Sequence, residues 1–177
     1  MGACGDVKEP KVDSIGTFTY FKNLYFRGEP IRILLAYKGI KYIADDITME
    51  EFAAQKAAGK FAAGQVPVWT ENGVQMNQTG SILRYLARKN GLHPKDENEA
   101  WEVDSFFDFH SDNIMKIMNV VMKGADPKVN YEDTLVTYVA EVDRRLAKHG
   151  KQFLTGANFT WADCVAAVTF LCWVYND

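Results

Sequence analysis

The sequence predicts a mixed α/β half followed by an all-helical half. Strand-like and helix-like stretches alternate over residues 17–92, whereas residues 93–177 carry only helical patterns. The short stretch "LHPKD" separates the two compositions and is the expected linker. We therefore expect two packed domains, preceded by a flexible tail over residues 1–16 that mixes glycine, proline and charge.

The first domain should begin with the strand "TFTYF", because β-branched and aromatic residues favour extended backbone. A helix is expected to follow from Pro30, which suits a first helical turn, to Gly39, which ends it. "KYIADDI" predicts a second strand, and "TMEEFAAQKAA" is rich in helix-forming residues. The predicted order is therefore strand, helix, strand, helix.

A hairpin and a helix should complete this domain. "QVPVW" and "VQMNQ" flank Glu71-Asn72-Gly73, and the Asn-Gly pair accepts the positive φ angles of a tight turn. Thr79 then opens the helical pattern of "GSILRYLARKN", which Gly91 ends.

Three helices are predicted for the second domain, around "NEAWEVDSFFDFHSDNIMKIMNVVMK", "YEDTLVTYVAEVDRRLAKH" and "WADCVAAVTFLCWVY". Thr160 precedes the last of them and Asp163 follows three residues later, which is the pattern of a capping box. The first of the three helices carries a broad band of apolar residues. We expect most of them in the core, while some could line a pocket for apolar ligands. Its members are Ile114, Met115, Ile117, Met118, Val121 and Met122.

Composition excludes several classes of partner. Lys and Arg number 20 against 23 Asp and Glu, so a net charge of -3 provides no positive field for nucleic acid. No apolar stretch approaches the roughly 20 residues of a membrane-spanning helix. The histidines are scattered without metal-binding spacing, so we predict no metal site. The three cysteines include no C-x-x-C pair and predict a reducing compartment, most simply the cytosol. Met1-Gly2 with Cys4 hints at N-terminal acylation, but Asp6 departs from that pattern.

Two stretches could bind a peptide-like ligand. If the Val66-Pro67 bond is cis, it holds main-chain groups outward, although an ordinary trans proline on an edge strand fits equally well. Gln78 and Thr79 stand where a helix begins, and its free N–H groups attract a carboxylate. Capping by Thr79, with Gln78 in solvent, is the alternative.

Four stretches follow one another in the order of a known family: "TYF…RGEPIRILLAYKGIKY", "GQVPVW", "MNQTGSILRYLARKNGL" and "GANFTWADCVAAV". In these stretches the chain resembles the cytosolic glutathione transferases, most closely the sigma-type group that includes prostaglandin D synthase. The resemblance implies an N-terminal thioredoxin-like domain that binds glutathione, a helical domain that contributes the electrophile pocket, and a homodimer. It also implies conjugation of the glutathione thiolate to apolar electrophiles, with glutathione as co-substrate.

The resemblance implies a set of binding residues as well. Val66, with its neighbours, would hold the cysteinyl main chain, and the start of the following helix would hold the γ-glutamyl carboxylate. Lys56 would lie near the glycine end, with Lys60 as the rival cation, and Asp104 would reach glutathione across the dimer interface. The full expected set is Phe21, Arg27, Phe52, Lys56, Gln65, Val66, Pro67, Gln78, Thr79 and Asp104.

A catalytic tyrosine is implied too, whose phenol proton is donated to the glutathione sulfur. Family members place it four residues before an Arg-Gly pair, where this chain has Asn23. Tyr20 lies before that position and Tyr25 after it. Because an insertion in the loop leaves the alternation of the strand intact, Tyr20 is the predicted catalytic residue and Tyr25 the reserve.

Two departures from the family pattern leave other functions open. Glu29 follows Arg27-Gly28 where a cation is common, and a carboxylate there would raise the pKa of the thiol. The chain ends at Asp177, so an open, shortened electrophile pocket is expected. The alternatives are a non-catalytic glutathione- or ligand-binding protein of the same fold and a glutathione-dependent prostaglandin-type isomerase. A thioredoxin-like disulfide enzyme is disfavoured by the missing C-x-x-C pair.

Overall fold

The computed structural model describes residues 15–123, 133–150 and 152–171. Most of the expected tail with its acylation motif, the break between the first two helices of the second domain, and residues 172–177 lie outside the described residues. The elements in chain order are β1 Thr17–Phe21, α1 Glu29–Tyr37, β2 Ile43–Ile47, α2 Met49–Ala57, β3 Val68–Glu71, β4 Val74–Asn77, α3 Thr79–Lys89, α4 Glu97–Lys123, α5 Asp133–Lys148 and α6 Trp161–Thr169.

The four strands form one mixed sheet in the order β2-β1-β3-β4. β1 runs parallel to β2 across the α1 crossover and antiparallel to β3, which pairs with β4 through a hairpin. Asn72 and Gly73, at the turn, have φ angles of 51° and 78°, as the hairpin prediction requires. The predicted fold class is confirmed: a thioredoxin-like α/β arrangement is followed by the helices α4, α5 and α6.

Two predicted strands were too long at their first residues. β2 begins at Ile43 rather than Lys41, and β3 begins at Val68, after Pro67. Proline has no N–H to donate to a ladder, so the strand starts once the proline has been passed.

Aromatic side chains of β1 supply both faces of the sheet. Phe18 and Tyr20 stack with their ring centroids 6.2 Å apart and join the core cluster that extends into the helical domain. Phe21 points to the opposite face, where its ring meets Phe52 of α2 at 5.2 Å. The alternation predicted for this strand is therefore confirmed, and it places Tyr20 and Phe21 on opposite sides of the sheet.

The capping box predicted at the start of α6 is present. The Asp163 carboxylate accepts hydrogen bonds from the backbone N–H of Thr160 at 2.8 Å and of Leu154 at 3.0 Å, and from the Thr160 hydroxyl at 3.1 Å. Thr160→Ala should lower the free energy of unfolding by about 1 kcal/mol, because a capping hydroxyl is lost from a buried helix start. Urea denaturation measures this, and a variant as stable as the parent would contradict it.

A buried histidine should make stability depend on pH. His110 of α4 has its Nδ1 at 3.0 Å from the Tyr138 hydroxyl of α5 and 3.4 Å from the Thr169 hydroxyl of α6. Burial, with a smaller contribution from the charge of Arg27, lowers the pKa of His110 to about 4. In the unfolded chain this histidine has a pKa near 6.5 and takes up a proton as the pH falls through that value. In the folded protein its imidazole stays neutral until the pH approaches about 4.

The sign of the effect follows from this difference. Above pH 6.5 His110 contributes nothing, and stability is lost as the pH falls from about 6.5 towards 4. Between pH 7.5 and pH 5 we expect a loss of about 2 kcal/mol from this residue. Denaturation of the parent and of His110→Gln at both pH values measures it. Equal losses in the two proteins would show that His110 is not responsible.

Candidate active site

Most residues assigned to glutathione by resemblance lie together around one cavity of about 290 Å³. They come from β1, the loop before α1, α2, the segment before β3 and the start of α3. Its lining consists of Phe21, Arg27, Phe52, Lys56, Gly64, Gln65, Val66, Pro67, Gln78 and Thr79. Of the expected substrate-binding residues, Asp104 is the one that this lining does not include.

The segment before β3 presents main chain to the cavity. The Val66-Pro67 peptide bond is cis, the isomer that the resemblance implies. Val66 precedes the ladder of β3, so its N–H and C=O can pair with an extended ligand. Gly64 adopts a φ of 60°, a region that favours glycine, and a methyl group there would lie 3.3 Å from Cε of Lys56. A side chain at residue 64 would therefore enter the cavity.

The start of α3 forms the adjoining wall. Gln78 is the N-cap residue and has a φ of 70°, which is uncommon for a non-glycine residue and concentrates at functional sites. Its Nε2 donates to Oε1 of Gln65 at 3.1 Å, and the Thr79 hydroxyl donates to the carbonyl of Arg27 at 3.2 Å. Capping by Thr79 is wrong, because Thr79 is the first residue of the helix. The free N–H groups of this first turn suit a carboxylate.

One of the two rival lysines belongs to the cavity. Lys56 lines it, with its ammonium 5.7 Å from the centroid of the Phe52 ring. Lys60 is turned to Gln55, whose Oε1 accepts its hydrogen bond at 2.8 Å, and to Asp45 at 3.5 Å. Lys56 is therefore the cation placed to meet an anionic ligand.

Tyr20 lies beneath the cavity rather than in its lining. The side chain is 2% exposed, and the backbone of Gly28 and Arg27 hydrogen-bonds to its hydroxyl. Burial raises the pKa of Tyr20 above its usual range, and these hydrogen bonds only partly offset that effect. The phenol is therefore protonated near neutral pH and can act as a hydrogen-bond donor. Tyr25 is 64% exposed and does not line the cavity.

Arg27 is the cation next to this hydroxyl. Its guanidinium contacts the sulfur of Met115 in α4 and forms no ion pair with any described residue. Glu29, expected to oppose a thiolate, accepts a hydrogen bond from Arg32 at 3.2 Å and does not line the cavity. The structure thus gives Glu29 a partner in the first turns of α1, outside the lining of this cavity.

Asp104 has a different setting. Its Oδ1 accepts a hydrogen bond from Nε of Arg84 at 2.8 Å, which joins α4 to α3. Asp104 does not line the first cavity, and its assigned role needs a second copy.

A second cavity of about 300 Å³ adjoins the first and shares Arg27, Gln78 and Thr79 with it. Its remaining lining comes from α1, α3 and α4 and is Pro30, Gly80, Ser81, Arg84, Phe107, Asp108, His110, Ser111 and Ile114. Of the apolar set expected there, Ile114 takes part, Ile117 is buried and Met115 is exposed. Most of the residues in this lining are polar, whereas an apolar pocket was expected.

Sequence reasoning missed the close approaches made by two glycines. A methyl group at Gly28 would lie 2.4 Å from Cδ1 of Tyr20, and one at Gly80 would lie 2.3 Å from Cε1 of Phe107. Gly28 follows Arg27 and Gly80 follows Thr79 in the sequence. A glycine directly after a residue assigned to the site was therefore the signal that could have indicated these close approaches. Asp108 and Ser111 carried no such signal.

Within the described ranges, no helix has the length and apolar character needed to cross a membrane. The same residues contain no group of three or more histidines, cysteines or acidic side chains that could hold a metal ion.

Known proteins that are similar to this chain share one family. Residues 16–88 match the family described as "Glutathione S-transferase, N-terminal domain" and residues 111–174 match "Glutathione S-transferase, C-terminal domain". "Glutathione S-transferase 4" of Caenorhabditis elegans is 35% identical over 161 residues, which cover 83% of this chain and 77% of that protein.

Solved structures agree with the sequence matches. The glutathione S-transferase of Ascaris lumbricoides superimposes with a TM-score of 0.79 at 27% identity, covering 89% of this chain and 80% of that one. Prostaglandin synthase D of Nilaparvata lugens gives a TM-score of 0.77 at 25% identity, covering 90% and 83%. This chain belongs to the glutathione S-transferase family.

Proposed function

We propose that this chain conjugates the thiol of glutathione to an electrophile. The observation that carries the proposal is the convergence of assigned residues from separate segments, Asp104 excepted, on one cavity. These segments are far apart in the sequence, so their meeting is a property of the fold.

Glutathione binding follows from the chemistry of the cavity walls. The γ-glutamyl carboxylate binds at the N–H groups that begin α3, beside Gln78. The cysteinyl unit pairs with the main chain of Val66 as an added extended segment. Lys56 attracts the glycine carboxylate. The thiol then lies on the side of the cavity where Arg27 stands.

Activation of the thiol is assigned to Tyr20 and Arg27. A free thiol has a pKa of about 8.5, and only the thiolate is a strong nucleophile. A hydrogen bond from the Tyr20 phenol, together with the unpaired charge of Arg27, favours the thiolate. Lowering the thiol pKa by about two units corresponds to about 2.7 kcal/mol.

The second cavity adjoins the place where this thiolate forms and is assigned to the electrophile. The thiolate forms the new carbon–sulfur bond directly, and either a leaving group departs or a double bond takes up the electron pair. The enzyme needs no covalent intermediate.

A specific observation favours a second candidate, a glutathione-binding protein of the same fold without turnover. Tyr20 is 2% exposed and does not line the cavity, so the thiol needs a small shift of the Arg27–Gly28 backbone to meet the hydroxyl. Without such a shift, the cavity binds glutathione but leaves the thiol in its ordinary protonation state.

Matched lysine variants test the site. We expect calorimetry to detect glutathione binding to the parent, and 1-chloro-2,4-dinitrobenzene to be conjugated. Lys56→Ala should weaken glutathione binding by roughly ten-fold, because a charge-assisted contact is lost. Lys60→Ala should change it by less than about two-fold, since Lys60 is turned to Gln55 and Asp45.

Binding without conjugation would favour the second candidate. Equal effects of the two lysine variants would show that the glycine end is wrongly assigned, and the absence of glutathione binding would contradict both functions.

We also propose a homodimer in the cytoplasm. Asp104 and the 66% exposed Trp101 both lie on α4, where a second copy could cover them. The free, buried thiol of Cys164 is compatible with a reducing compartment. Sedimentation equilibrium tests the dimer, and a monomer at micromolar concentration would contradict it.

A further inference from the structure

A methionine of α4 is in contact with the cation that the two cavities share. The guanidinium of Arg27 meets the thioether sulfur of Met115, which stands 88 positions further along the chain. Arg27 belongs to the lining of both cavities, whereas Met115 lines neither of them. A chemical change at the Met115 sulfur would therefore reach the site through Arg27.

Met115 is accessible to small oxidants. It is 44% exposed, although Ile114 and Ile117 of the same helix are buried. A hydroperoxide converts an exposed thioether to the sulfoxide. In this step the sulfur gives an electron pair to one peroxide oxygen, so that an S–O bond forms and the O–O bond breaks. The other peroxide oxygen takes up the proton and leaves as water or as an alcohol, and the thioether is the only group oxidised.

Oxidation changes what this sulfur offers to the guanidinium. A thioether sulfur is a weak hydrogen-bond acceptor, whereas the oxygen of a sulfoxide is a strong one. Arg27 forms no ion pair with any residue that the structure describes, so no carboxylate among them competes for it. Because the two side chains already touch, rotation about the flexible torsions of Met115 is enough to bring the new oxygen to Arg27.

We propose that Met115 is an oxidation site through which a hydroperoxide weakens the action of Arg27 on glutathione. In the sulfoxide form, the new oxygen accepts a hydrogen bond from the Arg27 guanidinium and draws it towards α4. Less of the positive charge then acts on the glutathione sulfur, and the thiolate is less favoured. Methionine sulfoxide reductases reverse the change. The inference rests on the proposed conjugation of glutathione, in which Arg27 favours the thiolate.

Treatment of the parent protein with hydrogen peroxide tests this role, with mass spectrometry of its peptides to locate the added oxygen. When Met115 is oxidised, we expect the pKa of the bound glutathione thiol to rise by roughly 0.5 unit. At a pH below that pKa, kcat/KM for 1-chloro-2,4-dinitrobenzene should fall about three-fold, since the thiolate fraction falls by that factor. Methionine sulfoxide reductases A and B should restore both values, whereas dithiothreitol, which reverses reversible thiol oxidation, should not.

Two variants of Met115 separate oxidation of this residue from other damage. Met115→Leu keeps a similar volume but has no sulfur, so its activity after peroxide should equal its own activity before. Met115→Gln carries an amide oxygen as a permanent strong acceptor, so it should show the higher thiol pKa and the lower kcat/KM without any peroxide.

Met49 provides the matched control for a second exposed thioether. It is 64% exposed at the start of α2 and lines neither the glutathione cavity nor the second cavity. Met49→Leu should therefore respond to peroxide as the parent does.

Three results would overturn the proposal: full activity in parent protein that is oxidised at Met115, equal losses in the parent and in Met115→Leu, or a Met115 that stays reduced while Met49 is oxidised. If the untreated parent binds glutathione but does not conjugate it, the proposed function fails instead, and the thiol pKa still decides the role of Met115. The absence of glutathione binding would contradict both.

Discussion

Replacing Tyr20 by phenylalanine is expected to lower kcat/KM for 1-chloro-2,4-dinitrobenzene by about 10²-fold while glutathione binding persists. The phenol is a buried, protonated donor beside Arg27, and phenylalanine keeps its ring but removes the hydroxyl. Because none of the cavity walls changes, the dissociation constant of glutathione should stay within about three-fold of that of the parent. Steady-state kinetics and calorimetry separate the two quantities.

Tyr25→Phe is the matched control for this experiment. Tyr25 is exposed and does not line the cavity, so its variant should keep the activity of the parent. A loss confined to Tyr25→Phe would move the catalytic assignment to the loop. Tyr20→Phe also leaves the backbone groups of Gly28 and Arg27 without their hydroxyl partner, so circular dichroism and denaturation must first show that it folds.

Gly28→Ala should reduce conjugation by a similar factor, because the added methyl group displaces Tyr20 or the loop that carries Arg27. A methyl group at residue 28 would lie 2.4 Å from Cδ1 and 2.7 Å from Cγ of Tyr20, so either the ring or the loop must move. A displacement of about 1 Å at a reacting group costs on the order of 10² in rate. The same overpacking should lower the free energy of unfolding by about 1–3 kcal/mol.

A double-mutant cycle distinguishes a local effect on Tyr20 from a general loss of fold. If Gly28 acts through Tyr20, Gly28→Ala should have little further effect on kcat/KM in the Tyr20→Phe background. Losses that multiply in the double variant would show that Gly28 acts elsewhere.

Local signals in the sequence were sufficient for the elements of this fold. The Asn72-Gly73 turn, the alternation of "TFTYF" and the Thr160/Asp163 capping box each depend on residues a few positions apart. Each was therefore visible before any tertiary contact was known. The first residue of β3 was missed because the proline was taken as part of the strand, although it cannot donate to the ladder.

Features that depend on distant residues could not be read in this way. The choice between Lys56 and Lys60 rests on Asp45 and Gln55 being turned towards Lys60. Glu71 is another example: its buried carboxylate accepts hydrogen bonds from Trp69, Tyr85 and Lys89. Such groupings are made by packing, and spacing along the chain does not reveal them.

Most residues of the candidate site were predicted from the resemblance to a known family, and fewer from the chemistry and spacing of the residues themselves. Physical reasoning singled out Val66-Pro67 and the start of α3. At each of them it left a purely structural alternative open, namely an ordinary trans proline and a helix cap. The depth of Tyr20 beneath Gly28, and the polar lining of the second cavity, appeared only in the structure. Both depend on how closely α1 and α4 approach the sheet and α3.

Ultraviolet titration of the thiol of bound glutathione tests the central claim most directly, since thiolate absorbs near 240 nm and thiol does not. We predict that the pKa of the thiol in the complex with the parent protein lies about two units below that of free glutathione, and that Tyr20→Phe restores most of the difference. A thiol pKa in the parent complex equal to that of free glutathione, or one unchanged by Tyr20→Phe, would contradict the assignment of Tyr20 as the donor that stabilises the thiolate.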